Sequence, residues 1–226
     1  MNWRGAIFDM DGVLCDSERF ICEAACRMFR DRHGVTATPA DFVLFVGTGE
    51  NRYLGGVAER YGVRLDLEAD KAYTYRVYLE AIRGRMQPLP GVREFLDACR
   101  GRGLKLAVAS SADEIKVRGN LAEIGLSADA FNACVNGSMV ERKKPAPDLF
   151  LLAAQRAGVD PAACLVVEDA PSGIAAGRTA GCRTLGLTTS FAADVLAAAG
   201  ADWTARDLAE AMSLLDTISR AFERSA

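Results

Sequence analysis

The chain has 226 residues, of which 50% are hydrophobic and 25% are charged, a composition that excludes a disordered or fibrous protein and allows a core large enough for an enzyme. Its formal net charge of -3 gives no basic footprint for nucleic acid or for an anionic membrane. The single histidine, His33, excludes histidine-rich zinc sites, so any catalysis is expected to depend on carboxylates.

The first predicted element is a buried strand over Gly5–Phe8, a short apolar run that ends at Asp9. From residue 17 to about residue 33, apolar side chains recur at helical spacing, and Gly34 is well placed to end that helix. The pattern stays helical through about residue 86, with no convincing strand. These residues predict an all-α segment inserted after the first strand.

Beyond residue 88 the pattern alternates between helix and strand, which predicts a parallel sheet covered by helices. The predicted helices are Val92–Gly101, 112–124, 146–157 and 174–180, and the predicted strands are 104–109, 131–135, 164–167 and Arg183–Leu187, the last of the sheet. We therefore predict an α/β fold. In this prediction, residues 1–15 and 88–226 form a Rossmann-like three-layer core, and residues 16–87 form an inserted helical cap.

Polar side chains follow several of the predicted strands. Asp9 and Asp11 follow the first strand, and a spacing of two turns both carboxylates toward the same side. Ser110 and Ser111 end the second strand, Glu168 and Asp169 end the fourth, and Lys144 precedes the helix that follows the short third strand. Because ligands bind at the carboxyl ends of strands in open parallel sheets, these side chains are expected to meet in one site.

Four segments of the chain resemble the four ordered motifs of the haloacid dehalogenase superfamily. They are FDMDGVLCDS, VASS, KKPAPDLF and VVEDAPSGIAAGRTAG, and the resemblance covers essentially the whole chain. The position of the helical insertion, between the first and second motifs, resembles the C1-type cap of the phosphatase and β-phosphoglucomutase-like branch. The resemblance implies a phosphoryl-transfer enzyme with a Rossmann-like core.

By this resemblance Asp9 is the nucleophile that forms an aspartyl-phosphate, and Asp11 protonates the leaving alkoxide and later activates water. A carboxylate that attacks a phosphate dianion meets like-charge repulsion, so the site needs a divalent cation and fixed positive charge. Asp9, Asp169 and the backbone carbonyl of Asp11 are expected to hold Mg²⁺, with Glu168 as a further ligand or beside one.

The phosphate group is expected to be bound by Ser110, Ser111 and Lys144. Lys144 would act as a point charge on the phosphoryl oxygens, and Ser110 with nearby backbone N–H groups would complete the cradle. Ser111 and Glu114 have the spacing of a capping box, which would place a helix N-terminus beside the phosphate.

Differences from other members of the superfamily separate the alternative activities. Its dehalogenases lack the second aspartate, whereas Asp11 is present here, and its phosphonatases use a cap lysine, whereas the cap has no lysine before Lys71. Its sugar phosphomutases carry an arginine in the cap loop where Glu50 stands, and an acid there would repel a second phosphate. Hydrolysis is therefore predicted. A phosphomutase that uses Arg52 or Arg76 instead stays the alternative, and a non-catalytic phospho-ligand-binding protein is a more remote one.

The expected substrate is a small phosphorylated metabolite, and the cap residues predicted to contact it are Glu50, Arg52, Tyr75 and Arg76. Seven cysteines form an odd set without a Cys-x-x-Cys pair, which is typical of reduced thiols in the cytoplasm. No run approaches about 18 uninterrupted apolar residues, and no signal-peptide core precedes Asp9. We therefore expect a cytoplasmic monomer or weak homodimer that binds neither membrane nor nucleic acid.

Overall fold

The computed structural model of the protein describes residues 2–224, and these residues form one sheet of six parallel strands. The strands are β1 (Gly5–Phe8), β2 (Lys105–Ala109), β3 (Ala133–Val135), β4 (Cys164–Glu168), β5 (Arg183–Leu187) and β6 (Trp203–Ala205). Their order across the sheet is β3-β2-β1-β4-β5-β6. The parallel sheet with helices confirms the predicted α/β fold class.

Helices fill the connections between these strands. The α-helices are α1 (Glu18–His33), α2 (Pro39–Phe42), α3 (Glu50–Tyr61), α4 (Leu67–Ile82), α5 (Val92–Gly101), α6 (Glu114–Glu123), α7 (Asp148–Ala157), α8 (Pro171–Thr179), α9 (Ala193–Ala198), α10 (Leu208–Ala211) and α11 (Leu215–Glu223). Short 3-10 helices cover Val43–Phe45, Ala128–Ala130, Gly137–Met139, Pro161–Ala163 and Met212–Leu214. Within residues 2–224, no helix combines the length and the apolar character needed to cross a bilayer.

The prediction that Arg183–Leu187 is the last strand is wrong, because β6 adds a further strand at that edge. Leu185 pairs with Trp203, and Leu187 pairs with Ala205. With three residues, β6 is too short to show the apolar run or the alternation by which a strand is recognised in a sequence. Its assignment depends on pairing with β5, which is a long-range contact.

The register of the sheet places the ends of its central strands at one level. β1 lies between β2 and β4, and Phe8 pairs with Val108 on one side and with Val167 on the other. All four residues of β1 are buried, as expected for a central strand covered on both faces. The residues that follow these strands therefore emerge side by side at the same edge.

Alternate side chains of β1 enter different apolar layers. Ala6 and Phe8 belong to the larger core cluster, where the rings of Phe8 and Phe95 in α5 meet edge to face with centroids 6.1 Å apart. Ile7 points to the other face and belongs to a second cluster with Phe150 of α7. The sheet is therefore the middle of three layers.

The chain between β1 and α5 holds helices α1–α4, called here the inserted helices, and their buried side chains belong to the same apolar cluster as Ala6 and Phe8 of β1. The segments that lead into and out of these helices are paired, because the Leu89 N–H donates to the Leu14 carbonyl at 3.0 Å. The Tyr78 hydroxyl in α4 donates to Asn120 in α6, which fastens the inserted helices to the core. Both chain connections and a side-chain contact therefore hold these helices over the sheet edge.

The only histidine joins two of the inserted helices. His33 ends α1, and its Nε2 lies 3.0 Å from an Asp70 carboxylate oxygen in α4. Arg32 contacts the other oxygen of the same carboxylate, which is fully buried. His33 thus lies away from the strand ends, in agreement with a structural role.

Leu165→Ala in β4 is expected to lower the free energy of unfolding by about 2–5 kcal/mol, because it removes a fully buried side chain and leaves a cavity beside the sheet. Leu44→Ala is the matched control, since Leu44 is 83% exposed. We expect it to change the free energy of unfolding by less than about 0.5 kcal/mol. Urea denaturation measures both values, and equal losses would contradict the central position of β4.

Candidate active site

Three acidic side chains meet at the centre of the strand-end edge. Asp9 directly follows β1, whereas Glu168 ends β4 and Asp169 follows it. All three are buried, and each offers a carboxylate oxygen within 4.8 Å of those of the others. The Asp9 N–H donates to the Val167 carbonyl at 3.0 Å, so the β1–β4 pairing continues into this group. Such close, hard oxygen donors fit a Mg²⁺ ion.

Lys144 supplies the positive charge nearest to these acids. Its Nζ donates to Asp9, to Glu168 and, at 3.3 Å, to the Ala109 carbonyl. The ammonium also lies 4.9 Å from the centroid of the Phe150 ring. Burial by itself would lower the pKa of Lys144, but the Asp9 and Glu168 carboxylates outweigh it and raise that pKa, so Lys144 stays charged.

One ammonium does not balance the charge of three buried carboxylates. Burial raises the pKa of Asp9 to about 7; Lys144 opposes this rise, and the Glu168 and Asp11 carboxylates add to it. Burial, followed by the repulsion of Glu168 and Asp9, also raises the pKa of Asp169 well above its ordinary value. The unbalanced negative charge favours bound protons or a bound cation, and a divalent cation would compensate it most directly.

Glu168 is held more tightly than an ordinary strand-end acid. Its Oε2 accepts hydrogen bonds from the N–H groups of Asp169 and Ala170, both at 2.9 Å, while its Oε1 accepts from Lys144 at 2.5 Å. Gly173 in α8 lies directly against it, because a Cβ at that position would be 1.9 Å from the Glu168 carboxyl carbon. The start of α8 therefore depends on a glycine to make room for this carboxylate.

The carboxylate of Asp11 lies beside the group of three acids and faces the inserted helices. Its Oδ1 accepts from the Ser17 hydroxyl, and its Oδ2 accepts from Lys116 at 2.9 Å. The Lys116 Nζ also lies 3.8 Å from the Glu50 Oε1. Asp11 and Asp9, although two residues apart, are therefore paired with different lysines, Lys116 and Lys144.

The segment after β5 closes the site beside Asp169. The Ser190 hydroxyl donates to the Asp169 carboxylate, and the Thr189 hydroxyl donates to the Gly12 carbonyl at 2.6 Å. Gly12 has a φ of 74°, and a Cβ there would lie 1.9 Å from the Asp169 Oδ2. Both the backbone conformation and the close approach require glycine after Asp11.

Ser110 and Ser111 follow β2 and line the cavity described below. The Ser110 Oγ accepts from the Ala112 N–H at 3.1 Å, whereas the buried Ser111 Oγ has no hydrogen-bond partner within residues 2–224. The predicted capping box at Ser111 is wrong, because α6 begins at Glu114 with Asp113 as its N-cap residue. The local Ser110–Ala112 hydrogen bond keeps this segment in a turn and delays the helix.

A cavity of about 600 Å³ lies between the sheet edge and the inserted helices. From the core it is lined by residues that include Asp9, Asp11, Ser110, Ser111, Lys116, Lys144, Glu168, Asp169 and Ser190. From the segment before α5 it is lined by residues that include Asp16, Glu18, Phe45, Val46, Gly49, Glu50 and Tyr53. The strand-end acids and the inserted helices thus form the walls of one space, as expected for a site that binds a small molecule.

Of the inserted-helix residues predicted to contact substrate, only Glu50 lines this cavity. Arg52 lies two positions further along α3, on the opposite side of the helix, where its Nη1 is 3.0 Å from Glu59. Arg76 is on the surface of α4, and Tyr75 is buried outside the cavity wall. The structure therefore does not bring Arg52, Tyr75 or Arg76 to the cavity.

Sequence reasoning missed Lys116, Ser17 and Ser190. A lysine in a helix normally reads as a solvated surface charge, so no local signal marks Lys116 as buried. Ser190 follows β5 after Thr188 and Thr189, and the rule that ligands bind at strand ends would have pointed to this polar segment. Ser17 precedes α1, where a serine is the usual N-cap residue.

Comparison with known proteins shows which protein family the chain matches. The family profile for haloacid dehalogenase-like hydrolases matches residues 3–181. Protein SUPPRESSOR OF QUENCHING 1, chloroplastic, from Arabidopsis thaliana is 43% identical over 197 residues, which are 86% of this chain and 19% of that protein. The chain therefore spans about a fifth of the length of this relative.

Two relatives from Escherichia coli match over most of their own length. Hexitol phosphatase A is 31% identical over 193 residues, which are 83% of this chain and 84% of that protein. Fructose-1-phosphate phosphatase YqaB is 34% identical over 184 residues, which are 80% of this chain and 94% of that protein.

Two solved structures share the whole fold. A hydrolase from Pseudomonas syringae has a TM-score of 0.82 at 26% identity and covers 96% of this chain and 99% of its own. A β-phosphoglucomutase from Clostridium difficile has a TM-score of 0.84 at 20% identity and covers 100% of this chain and 99% of its own. The second likeness concerns the fold alone.

The raised pKa of Asp9 predicts a pH-dependent difference in stability between the metal-free protein and Asp9→Asn. Because the pKa rises from 3.8 to about 7 on folding, the folded protein keeps a proton that the unfolded chain releases between those values. The unchanged protein should therefore lose stability relative to Asp9→Asn as pH rises from about 4 to about 7. A shift of this size corresponds to a difference of about 4 kcal/mol, reached above the folded-state pKa.

Urea denaturation in the presence of a chelator, repeated across this pH range, measures the difference. Leu44→Ala changes no titratable group, so its difference from the unchanged protein should not vary with pH. If the difference in stability between the protein and Asp9→Asn does not change with pH, or changes in the opposite direction, the raised pKa of buried Asp9 is contradicted.

Proposed function

The chain belongs to the haloacid dehalogenase-like hydrolases, and we propose on that basis that it is a Mg²⁺-dependent phosphatase that hydrolyses phosphate monoesters of small sugars or sugar alcohols. The observation that carries the proposal is the buried group of Asp9, Glu168 and Asp169 around Lys144. The names of the two Escherichia coli relatives, a hexitol phosphatase and a fructose-1-phosphate phosphatase, support the substrate class.

Asp9, Asp169 and the backbone carbonyl of Asp11 would hold Mg²⁺, which when bound offsets the repulsion between the Asp9 carboxylate and the phosphate. Glu168 already accepts three hydrogen bonds, from Lys144 and from the N–H groups of Asp169 and Ala170. This environment supports a role beside the cation, in which Glu168 orients Lys144 toward the phosphoryl oxygens.

In the first step an Asp9 carboxylate oxygen attacks phosphorus. A bond forms between that oxygen and phosphorus while the bond from phosphorus to the leaving oxygen breaks, and the leaving alkoxide takes a proton from Asp11. Lys144, Ser110 and Ser111 bind the phosphoryl oxygens and stabilise the charge that develops on them. The position of all of them on the cavity wall supports these roles.

In the second step water hydrolyses the aspartyl-phosphate. Asp11, now ionised, takes a proton from the water as its oxygen bonds to phosphorus, and the bond between Asp9 and phosphorus breaks to release inorganic phosphate. The pairing of Asp11 with Lys116 and Ser17 supports both roles of Asp11, because these contacts fix the orientation of its carboxyl group in the cavity.

A sugar phosphomutase is the second candidate, since the fold that the chain shares with a β-phosphoglucomutase accommodates either activity. Hydrolysis is preferred because Arg52 and Arg76, the cations suggested for a second phosphate, do not line the cavity. A non-catalytic phosphate-binding protein is the third reading, and the presence of every acid needed for turnover speaks against it.

We also propose that the protein acts in the cytoplasm as a monomer or weak homodimer. All seven cysteines are free, which supports a reducing compartment. The Arabidopsis thaliana relative is chloroplastic, so the compartment is a separate question from the chemistry.

Asp9→Asn is expected to abolish phosphate release, because an amide does not form the aspartyl-phosphate. Asp11→Asn is expected to lower kcat for a hexitol phosphate at least about 100-fold, because it removes the general acid and base. The measurement is phosphate release with Mg²⁺ and with a chelator over sugar phosphates, hexitol phosphates, nucleotides and phosphoglycolate.

Asp97→Asn is the control for this experiment, since Asp97 is an exposed residue of α5 whose partner is Arg100. It should leave phosphate release unchanged. Turnover by Asp9→Asn would contradict the proposed nucleophile. Conversion of a hexose 1-phosphate into the 6-phosphate without free phosphate, in the presence of the bisphosphate, would favour the mutase.

A further inference from the structure

The end of the cavity next to Asp11 holds more acidic than basic side chains. Asp11, Glu18 and Glu50 line it, and Lys116 is the only cation among the described lining residues at this end. Any leaving group that takes a proton from Asp11 has to occupy this space, called here the leaving-group end. Its charge therefore acts on the part of the substrate that differs from one phosphate ester to another.

Lys116 is already committed to two carboxylates. Its Nζ is 2.9 Å from the Asp11 Oδ2 and 3.8 Å from the Glu50 Oε1, and its side chain is 5% exposed. The ammonium is thus enclosed by these two carboxylates, and its charge is used within the protein rather than left for an anionic ligand.

Lys143, the next cation in this region, is also engaged. Its Nζ donates to the Ser111 carbonyl at 3.1 Å, and it is not among the residues that line the cavity. Lys144 is held by Asp9 and Glu168 at the opposite end. A second anionic group on a substrate would thus find no uncommitted cation among the described lining residues.

Glu50 is the carboxylate that the inserted helices bring to this end. It is the first residue of α3, where the positive end of the helix dipole favours a negative charge. Its side chain is buried beside Tyr75, and neither the Glu50 Oε2 nor the Tyr75 hydroxyl has a hydrogen-bond partner within residues 2–224. A buried acceptor of this kind is satisfied by a hydroxyl donor and is repelled by another carboxylate or phosphate.

We propose that Glu50, together with Lys116, restricts the substrate to monophosphates of neutral polyols and excludes leaving groups that carry a carboxylate or a second phosphate. This inference rests on the proposed function, since it assumes that the leaving group lies beside Asp11. Hydroxyl groups can donate to the carboxylates of the leaving-group end, whereas an anion meets repulsion that no free lysine among the described lining residues offsets.

The test compares two substrates on the purified, Mg²⁺-loaded enzyme: a hexitol phosphate, with a neutral leaving group, and phosphoglycolate, with a carboxylate on the leaving group. The readout is the ratio of kcat/KM for phosphoglycolate to kcat/KM for the hexitol phosphate. For the unchanged protein this ratio should be about 0.01 or below. Glu50→Gln removes the charge without changing the side-chain volume, and it should raise the ratio about tenfold.

Glu59→Gln is the matched control, because Glu59 lies on the same helix with its side chain 68% exposed and paired with Arg52. It should leave the ratio at the value of the unchanged protein. Lys116→Met removes the one cation that residues 2–224 place at the leaving-group end, so it should move the ratio in the opposite direction from Glu50→Gln. Thermal unfolding checks that each variant is folded. If Lys116→Met does not fold, the comparison of Glu50→Gln with Glu59→Gln still tests the proposal.

The inference is overturned if the unchanged enzyme uses phosphoglycolate as well as the hexitol phosphate, or if Glu50→Gln and Glu59→Gln give the same ratio. A failure of the proposed function looks different. In that case the unchanged protein releases no phosphate from either substrate or from p-nitrophenyl phosphate, which has no charged or hydroxyl group at the leaving end.

Discussion

The Lys144 ammonium is enclosed with the carboxylates of Asp9 and Glu168 at the ends of the central strands, where water has little access. Removing charges from water costs several kcal/mol for each ion unless a partner compensates it, so the arrangement survives only if every charged atom has a defined neighbour. The site meets this condition incompletely, since three buried acids share one lysine. That remaining negative charge is what makes the site suitable for a divalent cation and, with it, for a phosphate group.

The fold supplies this charge arrangement through backbone positions rather than through flexible side chains. Parallel strands that end at one level deliver Asp9 and Glu168 side by side, and the start of α8 packs against Glu168 only because residue 173 is glycine. The inserted helices then bring Glu50 to Lys116 and place a second charged pair next to Asp11. The acids around Lys144 thus come from the strand ends alone, whereas the charged group beside Asp11 needs a residue from the inserted helices as well.

The sequence made the strand-end acids accessible to prediction because each follows an apolar run, and an edge shared by parallel strands needs no knowledge of the rest of the fold. Lys144 was predicted from the resemblance of the segment KKPAPDLF to a motif of the superfamily. Lys116 was not predicted, because its burial is created by Asp11 and Glu50, which are distant in the sequence. Likewise, Arg52 is close to Glu50 in the sequence, but the helical repeat turns it away from the cavity. The strand β6 was missed because its identity depends on pairing with β5 and not on its own three residues.

The two chain segments that connect the inserted helices to the core leave it side by side, joined by the hydrogen bond from the Leu89 N–H to the Leu14 carbonyl. An inserted segment whose two ends are held together puts little strain on the core. Doubling the length of such a segment adds only about 0.6 kcal/mol of closure entropy. The length of the inserted segment can therefore change at little entropic cost while the sheet keeps its register. Such an architecture allows the inserted segment to differ in length while Asp9, Glu168 and Lys144 keep their positions at the strand ends.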